Sequence, residues 1–170
     1  EYFNLALVRN YRATGNPQSL ADARVMADYI MRSFPANENG EHVIPAGTSI
    51  AGITEGFVEL YRVTGEKKYL DFARNLRYEP HWYYLKPFEA WKENISKANF
   101  HVYVMLSHMY PDTELYRLLG GDDYLKKSLW MKQELLEQGR GALLVTGSTS
   151  EGEGFTYNQQ GAGAIEESCV

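Results

Sequence analysis

The sequence is short of the residues that mark several common protein classes. It has a single cysteine, Cys169, so no intrachain disulfide framework holds it. It has no basic excess: 17 basic side chains against 22 acidic ones leave a formal charge of −5, opposite to the balance of most nucleic-acid-binding domains. No run approaches the roughly 20 apolar residues that a membrane-spanning helix needs. Alternating strand patterns of useful length are also missing, and Val43–Ile44 and Ala142–Val145 have only the length of short strands or loop edges. What remains is an ordinary globular composition. Of 170 residues, 44% are apolar and 14% aromatic, enough for one core and too many for a disordered chain.

The clearest positive signal is an internal repeat. Tyr11-Arg12-x-Thr14-Gly15 is followed by Leu20, Ala23 and Arg24. Glu59-Leu60-Tyr61-Arg62-x-Thr64-Gly65 is followed by Leu70, Ala73 and Arg74. A weaker copy, Glu114-Leu115-Tyr116-Arg117 with Gly120, is followed by Leu125 and Leu129. The tyrosines recur at intervals of 50 and 55 residues, the mark of a repeat architecture. Ile53, Phe57, Leu60, Tyr61 and Thr64 form one apolar stripe at helical spacing. Gly65 suits a helix C-cap, where a left-handed backbone is needed. Tyr69, Leu70, Phe72, Ala73 and Leu76 open another one-sided helix, and Pro17 suits a first turn. Each copy therefore predicts a helix, a tight turn and a helix, with turns at Gly15, Gly65 and Gly120. Such hairpins close into a toroid or stack into an open solenoid, and three of them are about half of a six-hairpin ring.

Three irregular stretches separate the hairpins. Residues 35–47 are rich in Asn, Gly and Pro. Residues 78–91 crowd Tyr78, Trp82, Tyr83, Tyr84, Phe88 and Trp91 around Pro80 and Pro87. Residues 139–163 hold seven of the 15 glycines. Loops carry binding and catalytic groups more often than helix faces do.

Within the last stretch, Thr146-Gly147-Ser148-Thr149-Ser150-Glu151-Gly152-Glu153-Gly154-Phe155 combines close backbone approach with carboxylates suited to general acid–base work. The same run also reads as a solvated Gly/Ser loop. Glu167-Ser168-Cys169 offers an oxygen and a sulfur donor of the kinds zinc accepts, though two donors are half of a usual site. It also reads as a buried helical cysteine beside a surface glutamate. His101 and His108 are seven apart, on one helix face but two turns apart, which does not suit one metal ion. His101 opens its helix, where it can face a toroid mouth. Trp82 and its aromatic neighbours can stack on a sugar or pack against the helices.

Taken in order, these pieces resemble the catalytic domain of the bacterial β-L-arabinofuranosidase family of glycoside hydrolases, family 127 and its relatives. The resemblance runs through nearly the whole chain. Its specific part is Thr146, Gly147, Ser148, Gly152, Glu153 and Phe155, followed by Glu167, Ser168 and Cys169. It implies a mainly α fold, with helical hairpin repeats forming part of an (α/α)6 toroid. It implies that residues 1–170 are a partial barrel catalytic domain, incomplete at both ends, whose partners are a carbohydrate substrate and the remainder of the same polypeptide. It also implies a zinc ion held by Glu167, Cys169 and further cysteines, with Glu167 as the acid/base. Glu153 falls on a second active-site glutamate. The nucleophilic cysteine of this retaining mechanism, which forms a thioglycosyl intermediate, is placed beyond Val170, so the chain alone is expected to be inactive. Lys97-Ala98-Asn99-Phe100-His101 stands where the family often has His-Ala-Asn-Thr-Gln. If the family histidine touches sugar, Lys97 brings a cation to that contact, which suits a carboxylated sugar or another specificity. The expected substrate is an L-arabinofuranoside or a related sugar, bound by His101, Lys97 and Trp82. Two other readings are a non-catalytic helical-repeat scaffold and another toroid enzyme, such as a lyase or uronyl hydrolase, working without a thiolate.

Overall fold

The structure is a computed structural model. It describes residues 2–45, 53–79, 88–89, 92, 102–133, 148–150 and 165–169. Two compact units follow one another, Glu1–His81 and Trp82–Val170.

The first unit holds two helical hairpins: α1 (Tyr2–Thr14) with α2 (Pro17–Ser33), and α3 (Ile53–Thr64) with α4 (Lys67–Asn75). Their turns explain the repeated Tyr-Arg-x-Thr-Gly. Gly15 and Gly65 adopt φ of +71° and +70°, left-handed values that a Cβ makes costly. Each glycine amide donates to the carbonyl of the repeat tyrosine, Gly15 to Tyr11 at 2.8 Å and Gly65 to Tyr61 at 2.7 Å. That bond closes the helix end in the left-handed cap motif. The threonine before each glycine finishes the turn. Thr14 Oγ1 donates to the Asn10 carbonyl at 2.7 Å and accepts from Asn16 N at 3.2 Å. Thr64 does the same with Leu60 and Glu66, at 2.8 and 3.1 Å. Asn16 then caps α2 by accepting from Gln18 N at 3.0 Å, with Pro17 at the first helical position.

The expected stripe on α3 is the core of this unit. Phe57 and Leu60 are fully buried, as are Val58 on α3 and Tyr69, Phe72 and Ala73 on α4. Phe57 stacks on Phe72 with ring centroids 4.3 Å apart, and Tyr69 meets Phe57 edge-on at 6.1 Å. Removing one such ring costs about 3–5 kcal/mol. Hairpin packs on hairpin chiefly through α1 and α3. Around that seam run ion pairs: Arg9 with Glu55 at 2.6 Å, Arg12 with Glu59, Arg24 with Glu66 at 2.8 Å, and Lys68 with Asp28 at 2.8 Å.

One short strand falls on Val43–Ile44, which has the length of a short strand or loop edge, and a second departs from the sequence reading. β1 (His42–Pro45) and β2 (Leu76–Glu79) pair in parallel, His42 opposite Leu76 and Pro45 opposite Glu79. The apolar positions through Leu76 suggest continuing helix, yet α4 stops at Asn75 and Leu76 turns extended at ψ 136°. The pairing with β1 offers the backbone another set of partners. Arg77 Nε also donates to Glu41 Oε1 at 3.1 Å beside it. His42 is fixed by a hydrogen bond of 2.8 Å between Nδ1 and the Phe34 carbonyl, and its ring lies 4.4 Å from that of Phe72.

The second unit contains α5 (Val102–Leu119), α6 (Asp122–Lys132), β3 (Ser148–Ser150) and β4 (Ile165–Cys169). The turn between its helices repeats the pattern, with Gly120 at φ +71° and its amide donating to Tyr116 O at 2.8 Å. Leu115, Trp130 and Met131 are buried. All three expected hairpins, with their turns at the three repeat glycines, are therefore present.

Candidate functional site

The two motifs singled out in the sequence meet on one small sheet. β3 carries Ser148-Thr149-Ser150 of the Gly/Ser-rich run, and β4 carries Glu167-Ser168-Cys169. They pair antiparallel, with Ser148 opposite Cys169 and Ser150 opposite Ile165. One residue, Thr149, separates the paired positions on β3, whereas three, Glu166 to Ser168, separate them on β4. β4 is thus bulged, and Glu167 sits at the centre of the bulge. Bulges are concentrated beside active sites because they re-aim side chains that a regular ladder would hold in line. Cys169 lies on an extended strand, not on the helix that one reading gave it. α5 packs against both strands, so the helix that follows His101 in sequence supports this sheet.

Of the remaining expected site residues, Glu153, His101, Lys97 and Trp82 lie outside the described residues, as do most of the aromatic stretch and Ala142–Val145. Phe88 is described. Its backbone amide donates to Asp123 Oδ1 at 3.1 Å, and the Lys92 ammonium lies 5.9 Å from its ring centroid.

A carboxylate and a thiol are donor types that zinc takes, usually four to a site. Among the described residues, no three His, Cys, Asp or Glu side chains gather as a metal cluster.

One titratable group went unnoticed in the sequence. Burial pushes the Asp112 carboxyl on α5 up to about 7, against the opposing pull of Lys127 on α6. Asp112 follows Pro111 inside the helix. Proline there removes an amide donor from the helical ladder, and that irregularity is the only sequence signal the site offers.

Paired helical hairpins with glycine-capped turns define a mainly helical repeat fold. A family model described as "Beta-L-arabinofuranosidase, GH127 catalytic domain" matches residues 2–170, and the chain belongs to that family. Its hairpins are part of the α/α toroid of that catalytic domain. No curated protein matches the chain. Among the described residues, no helix is long and apolar enough to cross a membrane.

Proposed function

We propose that the chain contributes the acid/base and part of the metal centre of a retaining glycosidase that cleaves L-arabinofuranosides or a closely related sugar. The observation that carries this reading is the pairing of β3 with β4. It sets the Ser148 motif beside Glu167 and Cys169, in a chain of the β-L-arabinofuranosidase family.

In this proposal Glu167 protonates the leaving oxygen and then activates water, the two duties a retaining enzyme asks of one carboxyl group. Glu153 is the second active-site carboxylate. His101, Lys97 and Trp82 hold the sugar, Trp82 by stacking and Lys97 by its charge. Glu167 and Cys169 are two of the zinc ligands, and the remaining ligands, with the nucleophilic cysteine, belong to the remainder of the polypeptide. Bound zinc lowers the pKa of a coordinated thiol and so favours its thiolate form.

The test uses the whole polypeptide. Glu167→Gln should slow turnover about 10²–10⁴-fold on substrates with poor leaving groups, and less on activated aryl glycosides that need no proton. Cys169→Ser should lower zinc content and activity together, since a neutral hydroxyl is a poor zinc ligand. Unchanged rates on both substrate classes for Glu167→Gln would remove the acid/base assignment. Full zinc and full activity in Cys169→Ser would remove the metal assignment.

A further inference from the structure

The first hairpin carries an open apolar groove of about 400 Å³, lined by Phe3 and Leu7 of α1 and by Asp22, Val25, Met26, Tyr29 and Arg32 of α2. Phe3 is 65% exposed, Val25 68% and Tyr29 64%, a large amount of apolar surface for neighbouring turns of two helices. Asp22 and Arg32 are exposed at the two ends of the α2 side, about 15 Å apart along the helix.

The four exposed positions of α2 on this face form a single stripe. Asp22, Val25, Tyr29 and Arg32 follow one another at intervals of three, four and three residues, the spacing of a helix–helix seam. The stripe is also complementary to its own reverse. Asp22 and Arg32 lie five residues either side of position 27, and Val25 and Tyr29 lie two residues either side of it. A two-fold axis at that point lays α2 antiparallel on α2 of a second copy, with Asp22 opposite Arg32 and Val25 opposite Tyr29, each pair occurring twice. That is the isologous contact most dimers use. The two charges between these ends are taken up within the copy, Arg24 by Glu66 and Asp28 by Lys68. Asp22 accepts a hydrogen bond of 2.8 Å from Gln18 Nε2, and among the described residues neither Asp22 nor Arg32 forms an ion pair.

We propose that this face is a self-association surface, on which α2 of a second copy of the polypeptide packs antiparallel against α2. Tyr29 of each copy covers Val25 of the other and enters the groove beside Leu7 and Met26. The Asp22–Arg32 pairs close both ends of the contact and fix its register. An aromatic centre with a polar rim is the anatomy of specific interfaces. The occupant is a second copy because the stripe complements itself in charge and in size, and a different partner would require no symmetry about position 27. The inference is independent of the proposed chemistry at Glu167.

Sedimentation equilibrium of the whole polypeptide tests it through exposed positions. A contact over three turns is small for a specific interface, so the wild type should dimerise in the micromolar range, measured up to about 200 μM. Asp22→Arg and Arg32→Asp each set like charges opposite one another, and each alone should weaken dimerisation at least tenfold. An equimolar mixture of the two single variants brings opposite charges together again and should recover a dimer close to wild-type affinity. The variant carrying both changes should do the same. Recovery in the mixture also shows that each single variant is folded. A wild type that stays monomeric throughout, single variants that dimerise as the wild type does, or a mixture that associates no more tightly than its components would each overturn the proposal.

Discussion

Ser148 stands opposite Cys169 across β3 and β4, and the next paired position, Ser150 with Ile165, is reached after one residue on β3 but three on β4. The extra length holds Glu166, Glu167 and Ser168. A two-stranded pair this short has little stability of its own, so its geometry depends on the few backbone bonds it makes and on α5 packed against it.

Thr149→Pro should therefore uncouple the site from the fold. Proline removes an amide donor and fixes φ, which a short ladder tolerates poorly. The helical hairpins do not depend on β3, so helical circular dichroism should stay near the wild-type value. Zinc content and turnover of the whole polypeptide should fall together, at least tenfold. Wild-type zinc content in this variant would show that the strand pairing does not organise the metal ligands.

The seam between the first two hairpins offers a test of how charge supports the repeat. Glu59 is 1% exposed and Arg12 reaches its carboxylate from α1. Withdrawing a cation from a buried carboxylate is far more costly than breaking a surface pair. Because half of the Arg12 side chain is in solvent, with 53% exposed, the cost is discounted to about 1–3 kcal/mol for Arg12→Met. Arg9→Met should cost under about 1 kcal/mol, because the Arg9 side chain is 63% exposed and Glu55 is less buried than Glu59. Urea titrations of the two variants should keep that order.

At the turns, Gly65→Ala should destabilise the protein by about 1–2 kcal/mol. The backbone there has φ +70°, and an added Cβ would meet no atom within 4 Å. The cost is then purely conformational, and Gly15→Ala, at φ +71° in equally open space, should match it. A much larger loss at either position in thermal melts would mean that packing, not backbone, requires the glycine.

These tests also show which features the sequence made readable. The hairpins were legible because a local code repeats: tyrosine carbonyl, threonine hydroxyl and left-handed glycine sit within five residues, and each bond is short-range. The stripe around Phe57 was legible for the same reason. β2, β4 and the partner of β1 were not. His42–Pro45 acquires strand character only by lying beside Leu76–Glu79, some 34 residues away, and no periodicity within four residues encodes such a partner. At the site, the Glu-x-Cys pair was visible as chemistry and as a family resemblance. Its bulge was not visible, since register depends on what stands opposite. Asp112 was missed because its altered proton affinity arises from burial in the folded protein.

Asp112 makes stability depend on pH in a direction opposite to that of most paired carboxylates. Burial pushes its folded-state pKa up to about 7, while an unfolded aspartate titrates near 3.9. Below about pH 4 both states hold the proton, and the group's favourable contribution is fully present. Between roughly pH 4 and 7 only the folded state holds it, so unfolding releases a proton and stability falls as pH rises. Above about pH 7 both states are charged, and the cost of the buried carboxylate is constant. Asp112→Asn keeps the size of the side chain and removes the titration. Compared with this variant, the wild type should lose on the order of 3 kcal/mol between pH 4.5 and 7.5. Lys127 pulls the Asp112 pKa downward, so Lys127→Met should extend the slope to higher pH, and Asp112→Asn should cancel that extension in the double variant. Urea midpoints measured across this pH range check both expectations. Parallel wild-type and Asp112→Asn curves would mean that Asp112 is charged and well solvated in the folded protein.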